Sequence, residues 1–165
     1  MRNKKENKAK PKTPQESAVE MRELVMPHQA NPQNTIFGGV LMSWIDMAAA
    51  MVASRHSNQA VVTAHIESID FKTPVKVGHH VLILACMNFV GKTSMEIGVK
   101  VICENPLTGA SAVATTAYLT FVALDEFGRP SPVPPLKLVT TDDVRRFENA
   151  EKRTRFRKEL KNNLK

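Results

Sequence analysis

Gly38-Gly39-Val40-Leu41-Met42-Ser43-Trp44-Ile45-Asp46-Met47-Ala48-Ala49-Ala50-Met51-Val52-Ala53 decides how this chain folds. It is the most apolar run in the sequence, and the cations Arg55 and His56 beyond it suit the negative end of a helix dipole. The spacing predicts a helix of four to five turns that opens at the glycine pair and ends near Asn58. On a helical wheel Leu41, Trp44, Ile45, Ala48 and Val52 make one bulky side, which must pack on a sheet. Gly39, Met42, Ser43, Ala49, Ala50 and Ala53 share the face of Asp46. Such small residues leave room for a partner chain or a ligand, and a dimer seam that is also a cleft would serve both.

Asp46 is the only acidic residue between Glu23 and Glu67. A carboxylate among Trp, Met and Ala loses water, a cost that must be offset by hydrogen bonds or a retained proton. Two readings stand side by side: a structural Asp bonded to a nearby backbone N–H, or an acid kept for chemistry.

Outward from the helix, Val19 to Val25 reads as a short strand ending at Pro27, and residues 28–39 read as a loop rich in turn formers. Downstream come four strand-like runs, Ala60 to Phe71, His80 to Val90, Thr93 to Cys103 and Ser111 to Leu124. Turn signals separate them, so neighbours are antiparallel. Met95, Ile97, Val99 and Val101 alternate with Glu96, Gly98 and Lys100. The order predicts an α+β fold, one long helix wrapped by an antiparallel sheet.

A Pro-rich linker, Arg129 to Pro135, closes the body, and a charged helix is expected from Thr141 onward. The organisation is a disordered basic leader over residues 1–17, one domain over 18–136, and a basic C-terminal helix within 137–165. Val144, Phe147 and Phe156 are that helix's candidate anchors, for docking on an oligomer surface.

The net charge of +7 is unevenly spread. Residues 1–12 hold six basic residues and one acid, residues 137–165 hold ten and five, and the body between is net acidic. A nucleic-acid-binding fold would carry its basic patch on the body, so no specific nucleic acid is expected. No apolar run spans a membrane and no signal peptide is visible, which points to a cytoplasmic protein. Cys86 and Cys103 match no metal or redox spacing and read as buried free thiols. His79 and His80 open a strand and read as solvent-exposed, and His65 as a strand residue without a proton-transfer role. No metal site is expected.

The ordered set Ala30-Asn31-Pro32-Gln33-Asn34-Thr35-Ile36-Phe37-Gly38-Gly39, then Trp44-Ile45-Asp46, Val62-Thr63-Ala64, Glu67-Ser68-Ile69-Asp70-Phe71, Pro74-Val75-Lys76-Val77-Gly78 and Val90-Gly91-Lys92-Thr93-Ser94-Met95 resembles the hotdog-fold acyl-CoA thioesterases. The resemblance covers about residues 19–136 and is closest to the acyl-CoA hydrolase branch. It implies a helix wrapped by a five- to six-stranded antiparallel sheet, and dimers joined at sheet edges, often as trimers of dimers. It also implies hydrolysis of acyl-CoA to fatty acid and CoA, with no cofactor beyond the CoA of the substrate. The family's helix acid maps onto Asp46 and its loop amide onto Asn31. Its CoA-holding turn maps onto Gly91, Lys92, Thr93 and Ser94.

In that scheme Asp46 is general base or nucleophile, Asn31 orients water or substrate, and the backbone N–H near Gly39 meets the oxyanion. From the residues alone, Asn31 reads first as a turn former before Pro32, and the 91–94 turn is equally a solvated hairpin. Two departures stand out. Asn34 replaces a common Gly and is the next most tolerant of positive φ. Lys92 replaces a common Arg, keeping charge but not the planar fork. Met47, Met51, Met87 and Met95 are candidates to line an acyl tunnel or fill core. Rival readings are a non-catalytic acyl-CoA sensor and a hotdog dehydratase or hydratase; the latter needs a His near the helix start, and none lies between His28 and His56.

Overall fold

The computed structural model describes residues 10–163. A short helix α1 (Pro14–Ser17) and strand β1 (Val19–Leu24) precede the long helix α2 (Gly38–Ser57). Strands β2 (Ala60–Phe71), β3 (His80–Val90), β4 (Ser94–Glu104) and β5 (Ser111–Leu124) follow, then helix α3 (Thr141–Asn163). All pairings are antiparallel, in the order β1-β3-β4-β5-β2. The expected strand–helix–four-strand order is therefore present, in a five-stranded sheet.

The sheet's inner face buries Ile83, Met87, Met95, Ile97, Leu119 and Phe121 against Leu41, Trp44, Ile45, Ala48 and Val52 of α2. Burial of such side chains contributes about 1.5 to 3 kcal/mol each, so this contact dominates the core. Met87 and Met95 are thus core, while Met47 and Met51 face outward. The wheel assigned Ala49 and Ala53 to the open face with Asp46, but both are fully buried. The sheet reaches round the flank of α2, where short alanines let the strands close in.

The expectation of a disordered leader needs correcting where residues are described; residues 1–9 lie outside that range. Lys12 bridges to Leu136, and its ammonium donates to the Arg55 carbonyl at the end of α2 (2.8 Å). Arg55 in turn donates to the Ala18 carbonyl (2.9 Å). Unpaired carbonyls in the last helical turn explain this capture of the leader.

His56 is fully buried rather than a surface cation. Its Nε2 lies 2.9 Å from the Pro134 carbonyl, which only accepts, so Nε2 carries the hydrogen, and the buried Nδ1 has no partner. Burial pushes its pKa below the ordinary 6.5. The unfolded chain therefore takes up the proton first as pH falls. Stability from this group is complete above about pH 6.5 and declines below it, by at most about 1.4 kcal/mol per pH unit, until the folded-state pKa is passed. Melting temperature measured from pH 7.5 to 5 should show this decline, and His56→Gln should flatten it.

The outer sheet face is partly covered by α3. Arg146, Arg153 and Arg157 point from α3 onto the strands. Arg153 holds Glu96 with Nη2 2.6 Å from Oε1 and lies 3.8 Å over the Tyr118 ring. Arg157 donates to Glu67 (3.0 Å) and Thr120 (3.1 Å). Phe147 packs on Phe89 with ring centroids 5.1 Å apart, and Ala150 is fully buried. Of the three expected anchors only Phe147 serves; Val144 and Phe156 are exposed. The helix docks on its own sheet because arginines satisfy carboxylates there.

Cys86 is half-buried rather than buried, Cys103 is buried, and both are free thiols. Burial pushes the Cys86 thiol up despite Arg146 at 3.2 Å, so it is no activated nucleophile. His80 is exposed as expected, but His79 is half-buried with an unpartnered Nδ1.

Candidate active site

Asp46 sits midway along α2 and is half-buried in the single chain, not fully desolvated. Its Oδ1 accepts a 2.7 Å hydrogen bond from Thr63 Oγ1 on β2. That bond fixes one carboxylate oxygen and leaves Oδ2 free. Thr63 is the residue that sequence reasoning missed. The register shift between Thr63 and His65 explains it: a bulge turns Thr63 inward to α2 and His65 outward, although both have the same parity. His65 pairs with Glu67 at 2.9 Å, away from Asp46.

Gly38 and Gly39 open α2 after Phe37, and no side chain caps them. Their N–H groups have no acceptor within the helix and form its positive end. A Cβ on Gly39 would come within 2.9 Å of the Phe37 ring, so glycine also admits that ring. A cleft of about 440 Å³ opens here, lined by Thr35, Gly38, Leu41, Phe71 and Val75 among others.

Asn31 serves its own loop. Its Oδ1 accepts from the Gln33 and Thr35 N–H groups (3.0 and 3.2 Å), and Nδ2 donates to Thr35 Oγ1 (2.9 Å). Asn34, at φ 59°, takes the left-handed geometry expected of it. No hydrogen bond joins Asn31 to Asp46 within one chain. The Gly91-Lys92-Thr93 turn leads into β4, with Gly91 N–H bonded to the Ser94 carbonyl (2.8 Å) and Lys92 exposed. Neither Asp46 nor this turn lines a second cleft, of about 660 Å³, between β1, the outer sheet face and α3. Its Arg145 and Arg146 share the single carboxylate of Asp142.

Among the described residues no group of His, Cys, Asp and Glu is placed to hold a metal ion. Among the described residues no helix is long and apolar enough to cross a membrane.

An acid midway along α2 held by a strand threonine, on a helix opened by a glycine pair inside one curved sheet, is a hotdog arrangement, and comparisons agree. The thioesterase superfamily pattern matches residues 33–110. The "uncharacterized acyl-CoA thioester hydrolase" of Bacillus subtilis is 41% identical over 146 residues, 88% of this chain and 85% of that one. An apo hexameric acyl-CoA thioesterase superposes with TM-score 0.88 at 39% identity, over 92% of this chain and 97% of the other. The acyl-CoA hydrolase of Staphylococcus aureus, solved with butyryl coenzyme A, coenzyme A and coenzyme A disulfide, gives TM-score 0.85 at 34% identity, over 91% and 92%. That hydrolase has also been solved with alanine replacing an aspartate, an asparagine and a threonine in turn. This chain belongs to the thioesterase superfamily.

Proposed function

We propose that the protein hydrolyses acyl-CoA thioesters at Asp46. The observation that carries this reading is the Asp46–Thr63 bond on an outward-facing patch of α2 and β2. Asn31, Asp46 and Thr63 also stand at the same spacings as the asparagine, aspartate and threonine replaced in the staphylococcal hydrolase. Oδ2 of Asp46 takes a proton from water as that water attacks the thioester carbon, or attacks the carbon itself to form a mixed anhydride. Water then hydrolyses that anhydride, restoring the carboxylate. In either route the proton that the water loses goes to the CoA thiolate. The carbonyl oxygen becomes an oxyanion facing the N–H groups of Gly38 and Gly39. Collapse expels the CoA thiolate, which regains the proton. Asn31 orients water or substrate from its loop, and Gly91, Lys92, Thr93 and Ser94 grip CoA. The scheme needs no cofactor, and a cytoplasmic location belongs to the same reading.

Two copies pair through the β2 edges. β2 is a twelve-residue edge strand with Val62, Ile66 and Phe71 exposed, beside exposed Met42, Met47 and Met51. A long unpaired apolar edge is a liability that pairing removes. The seam also desolvates Asp46, which the single chain leaves half-open. Hexameric relatives support assembly of such dimers into trimers.

Thiol release from palmitoyl-CoA and shorter acyl-CoA esters tests the activity. The wild type should release stoichiometric CoA; binding without release would instead establish an acyl-CoA sensor. Thr63→Val removes a hydrogen bond to a charged group, about 1.5 to 3 kcal/mol. Its turnover should fall roughly 10- to 100-fold with the fold intact.

A further inference from the structure

The path of α3 carries an inference about the seam. The helix starts over β3, where Arg146 meets Cys86 and Phe147 meets Phe89. It passes β4 at Arg153–Glu96 and reaches the edge strand β2 at Arg157–Glu67. From residue 146 to 157 the helix rises about 16 Å, and three strand spacings total about 14 Å, so α3 crosses the strands nearly at right angles. It runs on to Asn163. Those last residues span about 9 Å, nearly two strand widths past the edge.

Glu67 lies near the middle of β2, whose ends are Ala60 and Phe71. Where β2 pairs with its copy in a register centred on the strand, the two-fold axis passes close to that point and both α3 helices arrive at it from opposite sides. There each carries Phe156 and Leu160, 68% and 50% exposed. They are one turn apart on one helix face, beside the arginine row that faces the sheet.

We propose that the last turns of α3 pack antiparallel against α3 of a second copy across the β2 seam, with Phe156 of each meeting Leu160 of the other. The contact is isologous, as a two-fold axis requires. It covers apolar side chains that the chain alone leaves in water. It also ties the helix that buries Glu96 to the seam beside Asp46. The proposal rests on the β2-edge pairing and is tested separately from it.

The test replaces Cys86 with Ser and Cys103 with Ala, then introduces Phe156→Cys, Leu160→Cys, both together, or Glu148→Cys as a control on α3 away from the edge. A short bis-maleimide is added at protein concentrations where sedimentation shows the assembly intact. The double variant should give mostly cross-linked dimer and Glu148→Cys mainly monomer. Lys158 and Lys161 repel across the axis, so yield should rise with moderate salt. An intact dimer without a cross-link at 156 or 160, or with an equal yield at 148, overturns the α3 contact and leaves the β2 seam standing. A monomer by sedimentation removes the seam and the contact together.

Discussion

Asp46→Asn is expected to lower kcat for acyl-CoA hydrolysis by about 10² to 10⁴, the usual contribution of a positioned acid or base. That is roughly 3 to 5 kcal/mol of barrier. Asparagine has nearly the same shape, and its Oδ1 still accepts the Thr63 hydroxyl that Asp46 holds at 2.7 Å. Only the charge and the ability to take a proton or to attack are lost. KM and melting temperature should therefore stay close to wild type, which separates this change from a folding defect. Steady-state thiol release, with CoA binding and thermal unfolding on the same preparation, measures all three. Near-normal turnover in a folded Asp46→Asn protein would remove Asp46 from the mechanism and leave Thr63 as an ordinary strand contact.

The elements were legible because each carries a local signal. β3, β4 and β5 are dense in β-branched residues and bounded by turn formers, and α2 announces itself by apolar density after a glycine pair. The long-range pairing was not legible. Glu96 reads from sequence as the polar half of an alternating strand, and nothing local points to Arg153, 57 residues away. Arg157 and Glu67 are 90 residues apart. A helix so rich in charge shows few apolar anchors, so its docking by buried guanidinium–carboxylate contacts could not be read from hydrophobic pattern. At the site, Asp46 stood out as an acid in apolar company, whereas Thr63 was hidden by the bulge that reverses its facing. Asn31 shows why residue type underdetermines role: its amide closes the loop that presents the helix start, whatever else it meets in the assembled enzyme.

Arg153→Ala should be the most destabilising single change on the outer face. Glu96 is 2% exposed and Arg153 24%, with the guanidinium also stacked over Tyr118. Removing one partner of a buried pair strands the other charge, at a cost of about 3 to 5 kcal/mol. For a chain of this size that is a fall of about 6 to 20 °C in melting temperature. The exposed pair Arg22–Glu20, at 69% and 54%, sets the contrast: such pairs contribute about 0.2 to 1 kcal/mol, so Arg22→Ala should barely move the transition. Asn88 offers Glu96 only a long 3.4 Å bond and does not replace the arginine. Adding Glu96→Gln to Arg153→Ala removes the stranded charge and should recover much of the loss, giving a coupling well above the uncertainty of a double-mutant cycle. If the single and double variants melt together, near wild type, α3 is not held by this pair. The recovery matters because deleting α3 would also strip Phe147 and Ala150 from the sheet, whereas the charge cycle isolates the ion pair from the apolar contact.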